Sequence, residues 1–234
     1  DLRYDTVLTL QALDGWIATI AAAPLTALDT ETDSLDAMRA QLVGISLSVA
    51  PGEAAYIPLR HSYAGVPEQL DVETVLAHLK PWLEDEAAHK VGQNIKYDSH
   101  VFANHGITVR GWRHDTLLES YVFEAHRAHS LESLAERHLN RKGLSYEELC
   151  GKGANQIGFS QVDIERATQG YLDSVPADAR AKSDAYFEGG YWLRLWGSLY
   201  GLGVAGVLLF GRISSRLRSW AERRTRRPWL QTMA

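Results

Sequence analysis

Two acidic residues separated by one position are the part of this sequence best suited to do chemistry. Asp29 and Glu31 end an apolar run that predicts a β-strand over residues 25–29. Side chains alternate along a strand, so both carboxylates are expected on one face. Like charges this close repel each other unless a cation lies between them, and Mg²⁺ and Mn²⁺ prefer carboxylate oxygens. The pair predicts either a divalent-metal site or a polar strand end that faces water.

A second acidic segment lies downstream, where the sequence before Asp98 predicts a short strand, a turn and the start of a helix. It has the pattern Asn-x-x-x-Asp from Asn94 to Asp98, and the first segment has the string Asp-Thr-Glu-Thr-Asp-Ser-Leu beginning at Asp29. Together the two segments resemble the first and second exonuclease motifs of the proofreading 3′–5′ exonuclease domain in the DNA polymerase I family. The resemblance covers about residues 1–168 and implies a ribonuclease H-like fold.

The resemblance implies metal-dependent hydrolysis of phosphodiester bonds at DNA 3′ ends. In that family two divalent ions, here Mg²⁺ or Mn²⁺ with Zn²⁺ as an alternative, share acidic ligands. The matching positions imply that Asp29 bridges both ions, that Glu31 binds the first and orients the attacking water, and that Asp98 binds the second through water. The implied function is proofreading-type removal of nucleotides from the end of a DNA strand.

The same resemblance implies contacts with a single-stranded DNA 3′ end. Three polar residues beside the acids are expected to contact the last nucleotides: Gln93, Asn94 and Tyr97. Leu35 and Tyr146 match positions where the family places apolar or aromatic side chains against terminal bases, and such stacking is worth about 1–3 kcal/mol per base. Ordinary packing explains these two residues equally well. Arg127 is a further candidate, for contact with a phosphate.

The third motif of the family is incomplete in this chain. The family has a Tyr-x-x-x-Asp pattern on a late helix, where the Asp completes the first metal site and the Tyr holds the attacking water. Tyr171 is present, but Val175 occupies the position of the acid, and Pro176 then ends the helix because proline lacks an N–H donor. Loss of this ligand predicts a fall in activity by orders of magnitude, so a non-catalytic nucleic-acid-binding module is the alternative function.

Periodicity predicts an α/β fold in which a mixed sheet is flanked by helices. Apolar runs predict four strands, at residues 25–29, 42–49, 54–59 and 89–92. Helical spacing predicts four helices, at residues 72–83, 96–105, 116–125 and 131–139. Ser130 and Ser160 are expected helix N-caps, and Asp163 three residues after Ser160 makes a pattern like a capping box. A meander of three strands followed by alternating helices and strands agrees with the ribonuclease H-like fold that the resemblance implies.

Charge is distributed unevenly along the chain, whose net charge is −5. Residues 167–234 hold 10 Lys and Arg against 5 Asp and Glu, whereas the rest of the chain holds 14 against 24. The N-terminal part therefore lacks the broad positive field of a tight duplex binder and would hold nucleic acid through local contacts and bound metal. The single cysteine, Cys150, and the lack of a signal-peptide pattern at the start predict a cytoplasmic location for this part.

The C-terminal segment differs in kind. Residues 195–211 are 17 uncharged positions, close to the roughly 20 that a membrane-spanning helix needs, and seven arginines follow between residues 212 and 227. This pattern predicts one candidate transmembrane helix with a basic cytoplasmic flank that attracts anionic lipid. The alternatives are a buried core helix with a solvated basic face, and nucleic-acid binding by the arginine cluster. From about residue 170 the sequence weakly resembles the N-terminal membrane region of prenyl-protein-type zinc metalloendopeptidases, but it lacks their His-Glu-x-x-His motif.

Charge, composition and the third motif all change at one place in the chain. We therefore hypothesise two parts of separate origin. Residues 1–168 would be an exonuclease-like domain without its final helix motif, and residues 169–234 an unrelated helical, membrane-type segment. A membrane-anchored chimera with no exonuclease activity is then a further alternative.

Overall fold

A six-stranded mixed β-sheet forms the centre of the described structure. The computed structural model describes residues 3–142 and 145–174, nearly all of which belong to the unit formed by residues 1–172. The strands are β1 (Arg3–Thr6), β2 (Thr26–Thr32), β3 (Leu42–Ala50), β4 (Glu53–Pro58), β5 (Lys90–Gly92) and β6 (Trp112–Asp115). They lie across the sheet in the order β1-β4-β3-β2-β5-β6, which places β2, the strand of the first acidic pair, near the centre.

The directions of the strands explain where a site can form. β2, β3 and β4 are an antiparallel meander, β1 pairs parallel to β4, and β5 and β6 continue the sheet parallel to β2. β2 and β5 pair only at Thr26 with Lys90 and at Ala27 with Val91, so the two strands part beyond Ala27. A gap at the carboxyl end of a central strand is where open α/β sheets hold ligands.

Seven α-helices are present in the part of the chain that the structure describes. They are α1 (Leu10–Ala22), α2 (Val72–Leu83), α3 (Ile95–Asn104), α4 (Thr116–Glu124), α5 (Leu131–Leu139), α6 (Tyr146–Cys150) and α7 (Ile164–Ser174). The predicted α/β arrangement, a mixed sheet with flanking helices, is confirmed. α2 has the predicted bounds, and the carboxylate of Asp71 caps it by accepting a hydrogen bond from the Thr74 N–H at 2.9 Å.

The hydrophobic core lies between one face of the sheet and helices α1, α2 and α3. The strands contribute buried residues at alternate positions: Leu28, Ile45, Leu47, Ala55 and Ile57. The helices contribute residues at helical spacing: Leu13, Trp16, Ile20, Val72, Val75, Leu76, Leu79, Leu83, Val101 and Phe102. Burying each large side chain is worth about 1.5–3 kcal/mol. The opposite face of the sheet carries the small and polar residues, which leaves it free to form a site.

One of the two predicted helix caps is confirmed and the other is wrong. The Ser130 hydroxyl caps α5 by accepting a hydrogen bond from the Ser133 N–H at 3.2 Å. Ser160 instead lies in a 3₁₀ turn over Phe159–Gln161, and α7 begins only at Ile164. The carboxylate of Asp163 accepts a hydrogen bond from the Arg166 N–H at 3.1 Å. The 3₁₀ turn moves the start of the helix, so Asp163, and not Ser160, is the residue that caps α7.

The predictions for the C-terminal segment fall on residues that the structure does not describe. The candidate span over residues 195–211, the basic flank and the position of Val175 all lie outside the described residues. Between residues 3 and 174, leaving out 143 and 144, no helix combines the length and the apolar character needed to cross a bilayer.

A single carboxylate caps two helices that meet at the gap between strands. Asp115 ends β6, and its oxygens accept hydrogen bonds from the N–H groups of Asn94 at 3.1 Å and Ile95 at 3.2 Å, at the start of α3. The same carboxylate accepts from the N–H groups of Leu117 at 3.0 Å and Leu118 at 3.3 Å, at the start of α4. The first N–H groups of a helix have no partner within the helix, so one anion here satisfies two helix N-termini.

We predict that Asp115→Ala costs more stability than removal of an ordinary cap. It leaves donors unpaired at two helices, and one cap is worth about 1 kcal/mol, so a loss of about 2 kcal/mol in the free energy of unfolding is expected. Asp71→Ala, which removes the single cap of α2, is the matched control. Urea unfolding followed by circular dichroism measures both variants. Equal losses would contradict the shared cap.

Candidate active site

Strand β2 places both acids of the first motif on the side of the sheet opposite the core. Asp29 is paired with Ser46 of β3, and Glu31 is paired with Gly44. Leu28, which precedes Asp29, and Thr30, which lies between the two acids, are buried on the other side of the sheet. Because side chains alternate along a strand, the two carboxylates share one face, two residues apart.

The third acid arrives from helix α3 through a pair of hydrogen bonds. Asp98 is buried, and its Oδ1 accepts hydrogen bonds from the Thr30 N–H at 3.0 Å and from the Thr30 hydroxyl at 2.6 Å. The Thr30 N–H is available because β2 has already parted from β5 at this residue. A buried backbone donor needs a partner, and the carboxylate of Asp98 supplies it. The gap in the sheet thus brings the third acid beside the first two.

The three carboxylates perturb one another electrostatically. Burial raises the pKa of Glu31 to about 7, and the charges of Asp29 and Asp98 add to the shift. Burial likewise raises the pKa of Asp98 to about 7, against the opposing effect of the Thr30 hydroxyl. Burial also raises the pKa of Asp29, although its side chain still opens to solvent through a cleft. Removing water and gathering like charges both favour the neutral acids.

The chemistry of this donor set fits a hard divalent cation. Three oxygen-bearing acids meet at one place, and a bound cation would relieve both their mutual repulsion and the cost of their burial. Among the described residues, however, no three acidic, histidine or cysteine side chains converge tightly enough to form a ready-made ion site. Within the cluster, Oδ1 of Asp98 is turned toward Thr30. Asp29, Glu31 and Asp98 are therefore the residues that would hold a metal, after their side chains adjust.

A cavity of about 520 Å³ opens beside the acids. Its floor is the face of the sheet opposite the core, and its walls come from the helical half of the domain; the lining includes Asp29, Ser46, Ser48, Ala54, Tyr56, Gln93, Leu131, Leu149 and Ala167. The Gln93 amide is fixed at its edge. It donates to the His129 carbonyl at 2.9 Å and accepts a hydrogen bond from the Thr116 hydroxyl. The cavity is large enough for a small ligand, with Gln93 and Asp29 both at its wall.

The loop between β2 and β3 presents an apolar tip next to the acids. Leu35 is 98% exposed on this loop. The loop is anchored by Tyr97 of α3, whose hydroxyl donates to the Ser34 carbonyl and contacts the Thr32 hydroxyl. Asn94 begins the same helix in a left-handed conformation, with φ of 61°, and its side chain is exposed. An unpacked leucine at the rim is available to a ligand, so packing within the described fold does not account for Leu35.

The remaining predicted residues are placed less uniformly. Tyr146 lies on α6 and is half-exposed; burial raises its pKa and the charge of Glu31 contributes to the shift, so it lies within electrostatic reach of the acids. Arg127 follows α4, where it pairs with Glu124 at 3.8 Å, and no described contact brings it to the acids. Tyr171 lies in α7, but its side chain is outside the described part of the structure.

Sequence reasoning alone did not find Thr30, whose hydrogen bonds hold Asp98, or Gly44 and Tyr56, which lie beside Glu31 in the sheet. Thr30 lies inside the first motif, yet its partner is 68 positions away. Gly44 and Tyr56 become neighbours of Glu31 only through the register of β3 and β4. Alternation along β3 does signal that Gly44 and Ser46 share a face, but the sequence does not say which strand residue lies opposite them.

The mixed sheet, the flanking helices and the acids at the end of a central strand define the architecture of ribonuclease H-like exonucleases. The catalytic core of RRP6 from Trypanosoma brucei has the same fold, with a TM-score of 0.53 at 13% identity over 74% of this chain and 43% of that one. At that identity the likeness shows the fold alone.

The chain belongs to the 3′–5′ exonuclease family of DNA polymerase I. A family model described as 3′-5′ exonuclease matches residues 4–167. The chain is 49% identical over 170 residues to DNA polymerase I of Pseudomonas aeruginosa, across 71% of this chain and 19% of that protein. It is 40% identical over 183 residues to DNA polymerase I of Rhizobium leguminosarum, across 70% and 18%. The chain thus spans about a fifth of these relatives' length. The match ends near residue 168, and the weaker resemblance of the C-terminal segment stays a prediction.

We predict that Asp98→Asn stabilises the metal-free protein at pH 8. In the folded state the pKa of Asp98 is raised to about 7, so stability falls as pH rises from about 4 to about 7 and the penalty is fully present above that. Asparagine keeps an oxygen acceptor for Thr30 and removes the charge. The expected gain is about 1–3 kcal/mol at pH 8, vanishing near pH 4.

Thermal unfolding in a chelating buffer at several pH values measures this effect. Asp98→Ala is the matched comparison, because it removes the charge and also leaves the Thr30 donors unpaired, so it should be less stable than Asp98→Asn at every pH. A wild-type protein that is more stable than Asp98→Asn at pH 8 without metal would refute the repulsion.

Proposed function

We propose that residues 1–168 act as a metal-dependent 3′–5′ exonuclease domain that removes nucleotides from single-stranded DNA 3′ ends, with activity impaired by the loss of the third acid. The observation that carries the proposal is the cluster of Asp29, Glu31 and Asp98, whose pKa values are all raised. Clustered, perturbed carboxylates in a cleft are the arrangement expected of a catalytic site. The naming of the relatives as DNA polymerases supports DNA as the substrate.

The residues of the cluster divide the work of the site. Asp29, Glu31 and Asp98 would hold two divalent ions, Mg²⁺ or Mn²⁺, with Zn²⁺ as an alternative. Such ions, when bound, supply an activated water and stabilise charge on the leaving oxygen. Thr30 fixes Asp98 through two hydrogen bonds. Holding the Asp98 carboxylate in place before an ion binds lowers the cost of reorganisation.

The surroundings of the cluster suit the end of a nucleic acid strand. Gln93 lines the cavity beside Asp29, while Asn94 and Tyr97 lie at the start of the helix that carries Asp98. Leu35 at the exposed loop tip and Tyr146 on α6 would pack against bases, because every base offers an apolar face whatever its identity. Arg127 would contact a phosphate that lies farther from the acids. These contacts require no base-specific hydrogen bonds, as proofreading of any sequence demands.

A non-catalytic nucleic-acid-binding module is the second candidate. It is favoured by Val175 in the place of the third acid, and by the absence of a ready-made ion site among the described residues. The cytoplasmic location of the N-terminal part and the membrane association of residues 195–211 stay predictions, separate from either function.

Degradation of a 3′-labelled single-stranded oligonucleotide tests the proposal. We expect slow, Mg²⁺- or Mn²⁺-dependent shortening from the 3′ end by the wild-type chain. Asp29→Ala should abolish it, because the central acidic ligand is lost. Asp14→Ala is the matched control, since it removes an exposed carboxylate on α1 that pairs with His78 and lies outside the cluster. Binding of the oligonucleotide without cleavage by a folded chain would instead favour the non-catalytic module.

Restoring the missing acid should raise the rate. Val175→Asp recreates the Tyr-x-x-x-Asp pattern with Tyr171, and a fourth carboxylate ligand should increase the rate at least tenfold if metal binding limits it, as loss of single groups around metal sites commonly costs 10- to 100-fold. Val175→Asn, which has nearly the same shape without the charge, is the control. Single-turnover cleavage measures all three chains. Equal rates in Val175→Asp and Val175→Asn would show that the acid at this position does not limit activity.

A further inference from the structure

We propose that His129 is a positioning residue for Gln93. Its buried imidazole, hydrogen-bonded to Ser120, holds the His129 backbone carbonyl in the place where that carbonyl orients the Gln93 amide at the wall of the cavity. The inference rests on the proposed function only in treating Gln93 as a residue that contacts a nucleotide. His129 belongs to neither acidic motif; it lies between α4 and α5, 36 positions from Gln93.

The orientation of the Gln93 amide decides what this residue can bind. Gln93 follows β5 and lines the cavity together with Asp29. One end of its amide donates hydrogen bonds, and the other end accepts them. The phosphate and sugar oxygens of a nucleotide accept hydrogen bonds. Gln93 therefore attracts these oxygens only if an N–H of its amide is available to the cavity.

The carbonyl of His129 determines this orientation. Nε2 of Gln93 lies 2.9 Å from that carbonyl oxygen, which can only accept a hydrogen bond. At the other end of the amide, Oε1 meets the hydroxyl of Thr116, which can donate or accept and so fits either orientation. Because only the His129 carbonyl discriminates, it keeps the amide nitrogen toward itself. The second N–H of the same nitrogen then remains for a ligand in the cavity.

The side chain of His129 is fixed on helix α4. The imidazole is buried, and its Nδ1 lies 2.7 Å from the Ser120 hydroxyl. The ring packs on the ring of Tyr121, with centroids 3.7 Å apart and planes inclined by 31°. Its other nitrogen, Nε2, is buried without a hydrogen-bond partner among the residues that the structure describes. Within that part of the chain, the contact with Ser120 is therefore the hydrogen bond that orients the ring.

The peptide before His129 is held by helix α5. Nη1 of Arg137 donates to the Ala128 carbonyl at 3.1 Å, and Nε of Arg137 pairs with Glu124 of α4 at 3.0 Å. The connection between the two helices is thus bound to both of them. These contacts restrict the backbone of His129, so the Gln93 amide is oriented before a ligand arrives, which lowers the entropy cost of binding.

NMR of the Gln93 side-chain amide in the full chain tests the positioning without metal or DNA. Its protons are assigned in nitrogen-15-labelled protein by their loss in Gln93→Met. In the wild type one proton should exchange slowly with solvent, because it is bonded to the His129 carbonyl. Ser120→Ala should speed this exchange about tenfold, as expected for the loss of one hydrogen bond. His129→Leu should do the same, whereas His129→Asn, which places an amide atom where Nδ1 lies, should retain the slow exchange.

Ser130→Ala is the matched control. The Ser130 hydroxyl caps α5 through the Ser133 N–H, so its loss weakens the same stretch of chain without removing the partner of the His129 ring. The Gln93 proton should exchange as slowly as in the wild type. Unchanged exchange in Ser120→Ala overturns the proposal. Equal acceleration in Ser130→Ala and Ser120→Ala also overturns it, because the effect would then be a general loosening of this stretch.

Binding of a fluorescein-labelled oligothymidylate in a chelating buffer, followed by fluorescence anisotropy, tests the link to the ligand. Gln93→Met and Ser120→Ala should each weaken binding about three- to tenfold. The double variant should bind no more weakly than Gln93→Met alone, because Ser120 acts through Gln93. Additive effects overturn that link. A wild type that has the slowly exchanging Gln93 proton but binds no oligothymidylate supports the positioning and refutes the nucleic-acid function of the site.

Discussion

The parting of β2 from β5 is the constraint on which the rest of the site depends. Beyond Ala27 the strand loses its parallel neighbour, and the Thr30 N–H needs another acceptor. The acceptor is Asp98, which takes the N–H and the hydroxyl of Thr30 together. A requirement of the backbone thus draws a third carboxylate to within interaction distance of Asp29 and Glu31, and helix α3 must lie against the sheet to deliver it.

The cost of this arrangement is electrostatic. Three acids with raised pKa values meet in a domain whose N-terminal part is already acidic. The core on the opposite face of the sheet, from Leu28 through Ile57 to the three covering helices, supplies the stability that offsets the repulsion. Under the proposed function, a bound cation would be favoured by the same charges that destabilise the fold without one.

Local patterns predicted much of the fold. Helical spacing alone gave the bounds of α2, because its apolar stripe and its Asp71 cap agree. Alternation placed Asp29 and Glu31 on one face. Local patterns did not predict β1, β6 or helix α1. Strands β1 and β6 are four residues long and rich in polar side chains, and such a short edge strand has a weak alternating pattern.

The supporting residues of the site needed information that no local pattern has. Thr30 and Asp98 are far apart in sequence, and only the gap between β2 and β5 makes them partners. Nothing in the sequence distinguishes Gly44 from other strand glycines. Only the register of β3 and β4 shows that the Tyr56 ring occupies the space where a Cβ of residue 44 would lie. The resemblance of the acidic segments to a family identified the three acids. The residues around them become neighbours only in the folded chain.

The shared cap at Asp115 has a mechanical consequence. One carboxylate binds the first turns of α3 and α4, so neither helix can pivot about its start without pulling on the other. A displacement of α4 would therefore strain the hydrogen bonds that hold the start of α3, the helix that carries Asp98.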